Sequence, residues 1–201
     1  MGYTTDFNGS INIEPPLNVK ELNYLSAFNK TRHMDRKSSP YYIESNKSEL
    51  LDFFSINKDS DIIDFNRNHP TQPGLYCKWK PSLDGDKIIW DQGEKFYDSA
   101  EWMQYLIDNF LSVDAKAKIF EPENFKFLNG HTLNGLISAQ GEEPSDKWYL
   151  AVNNNKVKTF SSLEQAKAYL NSEKDILNSK EVDTTEIDNV ENFKSKVKKL
   201  K

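Results

Sequence analysis

A single cysteine, Cys77, occurs among the 201 residues. An internal disulfide and a cysteine-built zinc site are therefore excluded. No stretch approaches the ~18 consecutive apolar residues that a membrane span needs. Residues 1–14 have neither a basic start nor an apolar block, so no secretory leader is expected. Acids outnumber bases by 31 to 26, which argues against bulk binding of nucleic acid. The motifs G-x-G-x-x-G, G-x-x-x-x-G-K-[ST], G-x-S-x-G and H-E-x-x-H are all absent. His33, His69 and His131 have no metal-ligand partner at i+3 or i+4, so no histidine metal site and no cofactor are expected. What is present is enough apolar material for a core. Leu, Ile, Val and Phe make up 49 of the 201 residues, above the roughly 20% below which chains tend to stay disordered. The expectation is a soluble, cytoplasmic, globular protein.

Alternation is clearest at the start. Tyr3, Thr5, Phe7, Ile11 and Ile13 share one strand face, and Asp6, Asn8, Ser10, Asn12 and Glu14 share the other. A strand with one wet face favours an antiparallel or mixed sheet. After Pro15-Pro16, Asn18 and Glu21 have capping-box spacing, with Leu17 and Leu22 as the hydrophobic staple. Leu22, Leu25 and Phe28 continue on one face, so a helix is predicted from about Val19 to Lys30. Residues 31–73 read as an irregular insertion, with a short helix at Ser48–Phe54 and a loop through His69-Pro70-Thr71-Gln72-Pro73-Gly74.

A hairpin follows, Leu75–Lys80 returning through Asp84-Gly85 to Lys87–Trp90. Asp98 and Glu101 repeat the capping spacing, with Tyr97 and Trp102 as the staple. Trp102, Met103, Leu106, Ile107, Phe110 and Leu111 then predict a helix over Ser99–Leu111. Strands are expected around Leu133–Ala139, Trp148–Val152 and Lys156–Phe160. A third capping box, Ser161 with Glu164, opens a last helix through Ala166, Tyr169 and Leu170. The fold class is α+β: an antiparallel or mixed sheet with helices packed on one face. The first six elements follow the split βαβ, ferredoxin-like order, with an extra C-terminal hairpin and helix. Residues 1–175 read as a single domain. Residues 176–201 are a polar, lysine-rich tail, with Ile187, Val190, Phe193, Val197 and Leu200 at amphipathic-helix spacing.

Candidate site residues fall into three sets. Arg32 and Arg36 are two of only three arginines, and a guanidinium fork suits phosphate or carboxylate. Among the central aromatics, Tyr76, Trp90 and Tyr97 are the freest to stack on a ligand, whereas Trp79 and Trp102 read as core. Asp91 and Glu94, with Glu142 and Glu143, are the carboxylates that a divalent cation would use. Cys77 shares a strand face with Trp79 and reads as a buried structural thiol.

Several blocks carry a resemblance. Met1-Gly2-Tyr3-Thr4-Thr5-Asp6-Phe7, Glu14-Pro15-Pro16-Leu17-Asn18 and Thr31-Arg32-His33-Met34-Asp35-Arg36 resemble blocks of a family of bacterial and phage-borne proteins. So do Gln72–Trp79, Trp90–Tyr97, Ala100–Ile107 and Gly135–Glu143. The similarity covers roughly residues 1–157. Tyr76 and Lys78 depart from the tryptophan and glutamine associated with that strand. The resemblance implies an accessory protein of phage or mobile elements and assigns no activity. The function expected is therefore non-catalytic binding, of a nucleotide-like anion through Arg32 and Arg36 or of a host protein. The alternative is a divalent-cation-dependent hydrolase or transferase built on the clustered carboxylates.

Overall fold

The computed structural model describes residues 2–43 and 60–172. The expected helix at Ser48–Phe54 and the tail from residue 176 lie outside them. Strand β1 (Thr5–Glu14) is followed by α1 (Val19–Lys30), β2 (Met34–Arg36), β3 (Ile62–Asn68), β4 (Trp79–Pro81) and β5 (Lys87–Trp90). Helix α2 (Ser99–Leu106) runs on into a π-helical turn (Ile107–Leu111). Short helices α3 (Lys116–Phe120) and α4 (Pro122–Phe125) precede β6 (Thr132–Gly141), β7 (Lys147–Asn153) and β8 (Lys156–Phe160). Residues 163–172 form a last helix, α5.

The fold is α+β, built on an antiparallel sheet of six strands in the order β4-β5-β1-β6-β7-β8. Within it, β1 lies antiparallel between β5 and β6, and β5 lies antiparallel between β1 and β4. Strands β1 and β4 are thus parallel to each other, with α1 in the connection between them. That order and those directions are compatible with two interleaved βαβ units.

The alternation read in β1 is the alternation observed. Phe7, Ile11 and Ile13 are buried while Asp6, Asn8, Asn12 and Glu14 are exposed. Gly9 interrupts the pattern for a backbone reason. Its φ is +121°, and a Cβ there would meet the Leu136 carbonyl oxygen at 2.5 Å. The core packs β1, β5, β6 and β7 against Leu25 and Phe28 of α1 and against Trp102, Met103, Leu106, Ile107, Phe110 and Leu111. Trp79 is sealed within it, donating its indole N–H to the Ser99 carbonyl at 2.7 Å.

One helix stands apart from the expectation of a single covered face. Ala166 of α5, with Leu163, Tyr169 and Leu170, packs on Tyr149, Ala151 and Leu136. These residues alternate along β6 and β7 with the core-facing Leu150, Val152 and Ile137. Helix α5 therefore covers part of the sheet's second face. The tyrosine and alanine of β7 are apolar enough to accept it, although their alternation with core residues resembles an ordinary wet face.

Of the three capping boxes, one forms as spaced. Asn18 accepts from the Lys20 and Glu21 amides, and Glu21 accepts from the Asn18 amide at 2.8 Å. At Asp98 the backbone is left-handed, with φ +54°, and its side chain makes no capping bond. Tyr97 is 55% exposed, so no staple closes over it. In the third box the cap shifts by one residue, with Ser162 Oγ accepting from the Gln165 amide. The 31–73 segment also holds more order than an irregular insertion, because β2 and β3 pair as a two-stranded antiparallel sheet. Its short strands and register shifts leave no clean alternation to read.

Candidate functional site

The two arginines are held by the protein itself. Arg32 follows the last turn of α1 and donates to the Tyr76 hydroxyl at 2.8 Å and to the Phe65 carbonyl at 2.9 Å. Arg36, on β2, is buried. Its guanidinium lies 3.9 Å over the Tyr42 ring and 3.7 Å from an Asp61 carboxylate oxygen. The structure thus brings Arg32 and Tyr76 together: Arg32 ties β3 to Tyr76, and Arg36 holds Tyr42 and Asp61 beside the small sheet. Trp90 is half-buried on β5, edge-on to Phe7 at 5.6 Å. Tyr97 is exposed in the loop before α2.

The carboxylates also serve the fold. Asp91 accepts from the Asn29 amide group at 3.0 Å and from the Gly93 N–H at 2.7 Å. Glu142 accepts from the Thr4 N–H at 2.8 Å, and the neighbouring Asp146 accepts from the Tyr3 hydroxyl at 2.6 Å. Among the described residues no group of three or more His, Cys, Asp or Glu is arranged to hold a metal ion. Cys77 is fully buried, and that burial pushes its thiol pKa up. A neutral, enclosed thiol is a poor nucleophile.

A site with room for a ligand lies elsewhere. A cleft of about 620 Å³ runs between α2 with its π turn, α3, and the loops at residues 40–41 and 71–73. Its floor is a chain of buried hydrogen bonds. Tyr24 donates to the Tyr41 carbonyl at 2.6 Å, Tyr41 donates to Asn109 Oδ1 at 3.0 Å, and Asn109 donates to the Tyr105 carbonyl at 2.8 Å. Asn109 sits inside the π turn, where the Ser112 N–H reaches back five residues to the Ile107 carbonyl. Such single wide turns are enriched at functional sites.

Tyr105 lines the cleft and is more than nine-tenths buried. Among the described residues its hydroxyl meets no partner at hydrogen-bonding geometry, although Gln72 lies beside it. Burial raises its pKa, so it remains a neutral phenol, a donor and acceptor in want of a partner. Pro40, Pro73 and the Tyr41 ring supply apolar walls. Phe120 stands at the rim with 73% of its surface exposed.

Among the described residues the rim charges are mainly acidic: Glu101, Asp108 and Glu121 against Lys116. Lys116 Nζ is 3.1 Å from Asp108 Oδ2, and Gln104 donates to Asp108 Oδ1 at 2.7 Å. Glu121 accepts from Ser39 Oγ and from Asn124 at 3.1 Å. Glu101 also borders a second hollow of about 530 Å³, which reaches Trp148 and Phe160.

Sequence reasoning missed this cleft. Glu101 reads as a capping partner, and no motif marks Gln104, Asp108 or Lys116 in the sequence. Tyr105 and Asn109 lie four apart, on the helical flank beside the apolar stripe. That spacing, a phenol and an amide bordering the stripe, is the one local signal of a polar floor.

No protein-family model, curated protein or solved structure matches this chain.

Proposed function

We propose that the chain is a non-catalytic accessory protein that binds a partner protein, and that the cleft over Tyr105 receives a segment of that partner rich in lysine or arginine beside apolar side chains. The observation that carries this reading, among the described residues, is an apolar cleft with an exposed phenylalanine at its lip, a buried phenol without a partner on its floor, and three carboxylates against one ammonium at its rim. Apolar walls with a few convergent polar groups are the usual make-up of a ligand site, and the excess of carboxylates selects for positive charge. The resemblance to bacterial and phage-borne accessory proteins supports a host protein as the partner.

The rival reading is a nucleotide-like anion held by Arg32 and Arg36. It requires Arg32 to release Tyr76 and Phe65, and Arg36 to leave its buried place over Tyr42, so the geometry supports it less well.

Titration calorimetry with a short lysine–leucine peptide of helical spacing tests the proposal, with a glutamate–leucine peptide as control. The lysine peptide should bind, weaken with added salt, and lose at least tenfold in affinity in Glu101→Lys. Equal binding of both peptides, or indifference to Glu101→Lys, would refute it. A nucleoside triphosphate bound by the native protein and lost in Arg32→Ala would favour the rival.

A further inference from the structure

We infer that the cleft has an occupant within this same chain: residues 193–201, Phe193-Lys194-Ser195-Lys196-Val197-Lys198-Lys199-Leu200-Lys201, which dock there and compete with the partner segment. The inference rests on reading the cleft as a docking site for a basic segment, and it adds a regulator to that reading.

Three observations point to this stretch. The first is charge. Residues 193–201 contain five lysines and no acid, which complements a rim whose described charges are Glu101, Asp108 and Glu121 against Lys116. The preceding stretch, 173–192, has the opposite character, with seven acids against two lysines. The same rim would repel it, so complementarity singles out the last nine residues.

The second is apolar spacing. Phe193, Val197 and Leu200 recur at i, i+4 and i+7, the pattern that aligns side chains along one helical face. This is the pattern read by grooves that accept an amphipathic segment. Phe120 and the proline walls offer the matching apolar surface.

The third is where the described chain ends. Asn153 donates to the Tyr169 carbonyl at 2.8 Å, and the Tyr169 hydroxyl donates to the Lys156 carbonyl at 3.0 Å. The last turn of α5 therefore lies against the β7–β8 turn. That turn in turn touches the cleft wall, since Gln104 accepts from the Val157 N–H at 3.0 Å and donates to the Asn155 carbonyl at 3.3 Å. Gln104 lines the cleft. Twenty residues separate Ser172 from Phe193, and a chain of that length can reach at most about 70 Å. The basic segment is thus tethered within reach of the cleft and held there at high effective concentration.

The test uses the full chain with a nitroxide attached through Ser195→Cys. Cys77 is fully buried with its thiol pKa pushed up, so the introduced thiol is the reactive one. Amide signals of residues 104–109 and 116–121 should lose at least half their intensity relative to those of Asn8 and Asn12. The loss should disappear when Lys194, Lys196, Lys198 and Lys199 are all changed to Glu. Uniform intensities, or broadening that survives this charge reversal, would overturn the inference. So would broadening that arises only when labelled chain is mixed with unlabelled isotopic chain, which would mean docking between two copies.

A synthetic peptide of residues 193–201 separates this inference from the reading beneath it. It should bind the charge-reversed chain at least tenfold more tightly than the native chain, whose cleft is already filled. If it binds both equally, the cleft stands as a docking site and self-docking falls. If it binds neither, both fall.

Discussion

Replacing Glu21 by alanine should be among the most damaging single changes available in this protein. Glu21 is 1% exposed and accepts three hydrogen bonds, from the Asn18 N–H at 2.8 Å, the Asn129 N–H at 2.5 Å and His131 Nε2 at 3.0 Å. The other imidazole nitrogen of His131 lies 2.7 Å from the Pro15 carbonyl. Both ring nitrogens thus face acceptors, which favours the doubly protonated ring. Burial by itself lowers the His131 pKa, but the Glu21 carboxylate and the Pro15 carbonyl outweigh it and hold the pKa above 6.5. Burial likewise works to raise the Glu21 pKa, and His131 with the two backbone N–H groups brings it below 4.5. Removing the carboxylate leaves a buried imidazolium and two orphaned N–H groups, a loss of about 3–5 kcal/mol. At roughly 2–4 °C per kcal/mol for a chain of this size, Tm should fall by about 6–20 °C.

The pH dependence gives a sharper check. The raised pKa of His131 means its contribution is complete below pH 6.5 and lost as pH rises through the folded value. The lowered pKa of Glu21 means its contribution is complete above pH 4.5 and lost as pH falls through the folded value. The gap between native protein and Glu21→Ala should therefore be widest between pH 4.5 and 6.5 and should narrow toward pH 9. Urea unfolding of both proteins across that range measures it. A Tm loss under 3 °C, or a gap that is the same at pH 6 and pH 9, would refute the reasoning.

His33 acts in the opposite direction. It is packed 4.2 Å from the Phe28 ring and 5.1 Å from Trp102, and burial lowers its pKa to about 3. Between pH 6.5 and 3 the unfolded chain binds a proton that the native state does not, so stability should fall by about 1.4 kcal/mol per pH unit on acidification. In His33→Phe that contribution to the slope of urea stability against pH should vanish, and an unchanged slope would refute it. Gly9→Ala places a side chain at φ +121° with its Cβ 2.5 Å from the Leu136 oxygen. The conformation alone costs about 1–2 kcal/mol and the contact adds to it, so a change in urea stability below 0.5 kcal/mol would contradict the register of β1 against β6.

Much of the fold is legible where one local rule acts alone. The alternation of Phe7, Ile11 and Ile13 reflects a single sheet face, and the Asn18–Glu21 spacing reflects a cap that closes within one turn. The apolar stripe of Trp102 to Leu111 predicts burial correctly, yet it cannot reveal that Ile107–Leu111 winds as a π turn, because the same side chains stay buried in either winding. Asp98 and Glu101 carry the spacing of a cap. The chain nevertheless enters α2 through a left-handed residue, which a spacing rule does not register. Arg32 stands out by rarity and Tyr76 as a free aromatic, and the two do meet, but as a fastening between segments far apart in the chain. The cleft was hidden for a related reason. Tyr41, Thr71, Tyr105 and Glu121 come from four separate segments, and only tertiary packing assembles them.

The place of β1 in the sheet also bears on how the protein is made. Its ten residues pair on one side with β6, Thr5 opposite Gly141, and on the other with β5. A ribosome must synthesise well over a hundred further residues before both neighbours of this strand exist. Pairings so distant along the chain close slowly, so β1 waits unpaired while those residues are made. The asparagines and acids on its reverse face oppose stray pairing during that wait, because polar and charged side chains blunt an unpaired strand.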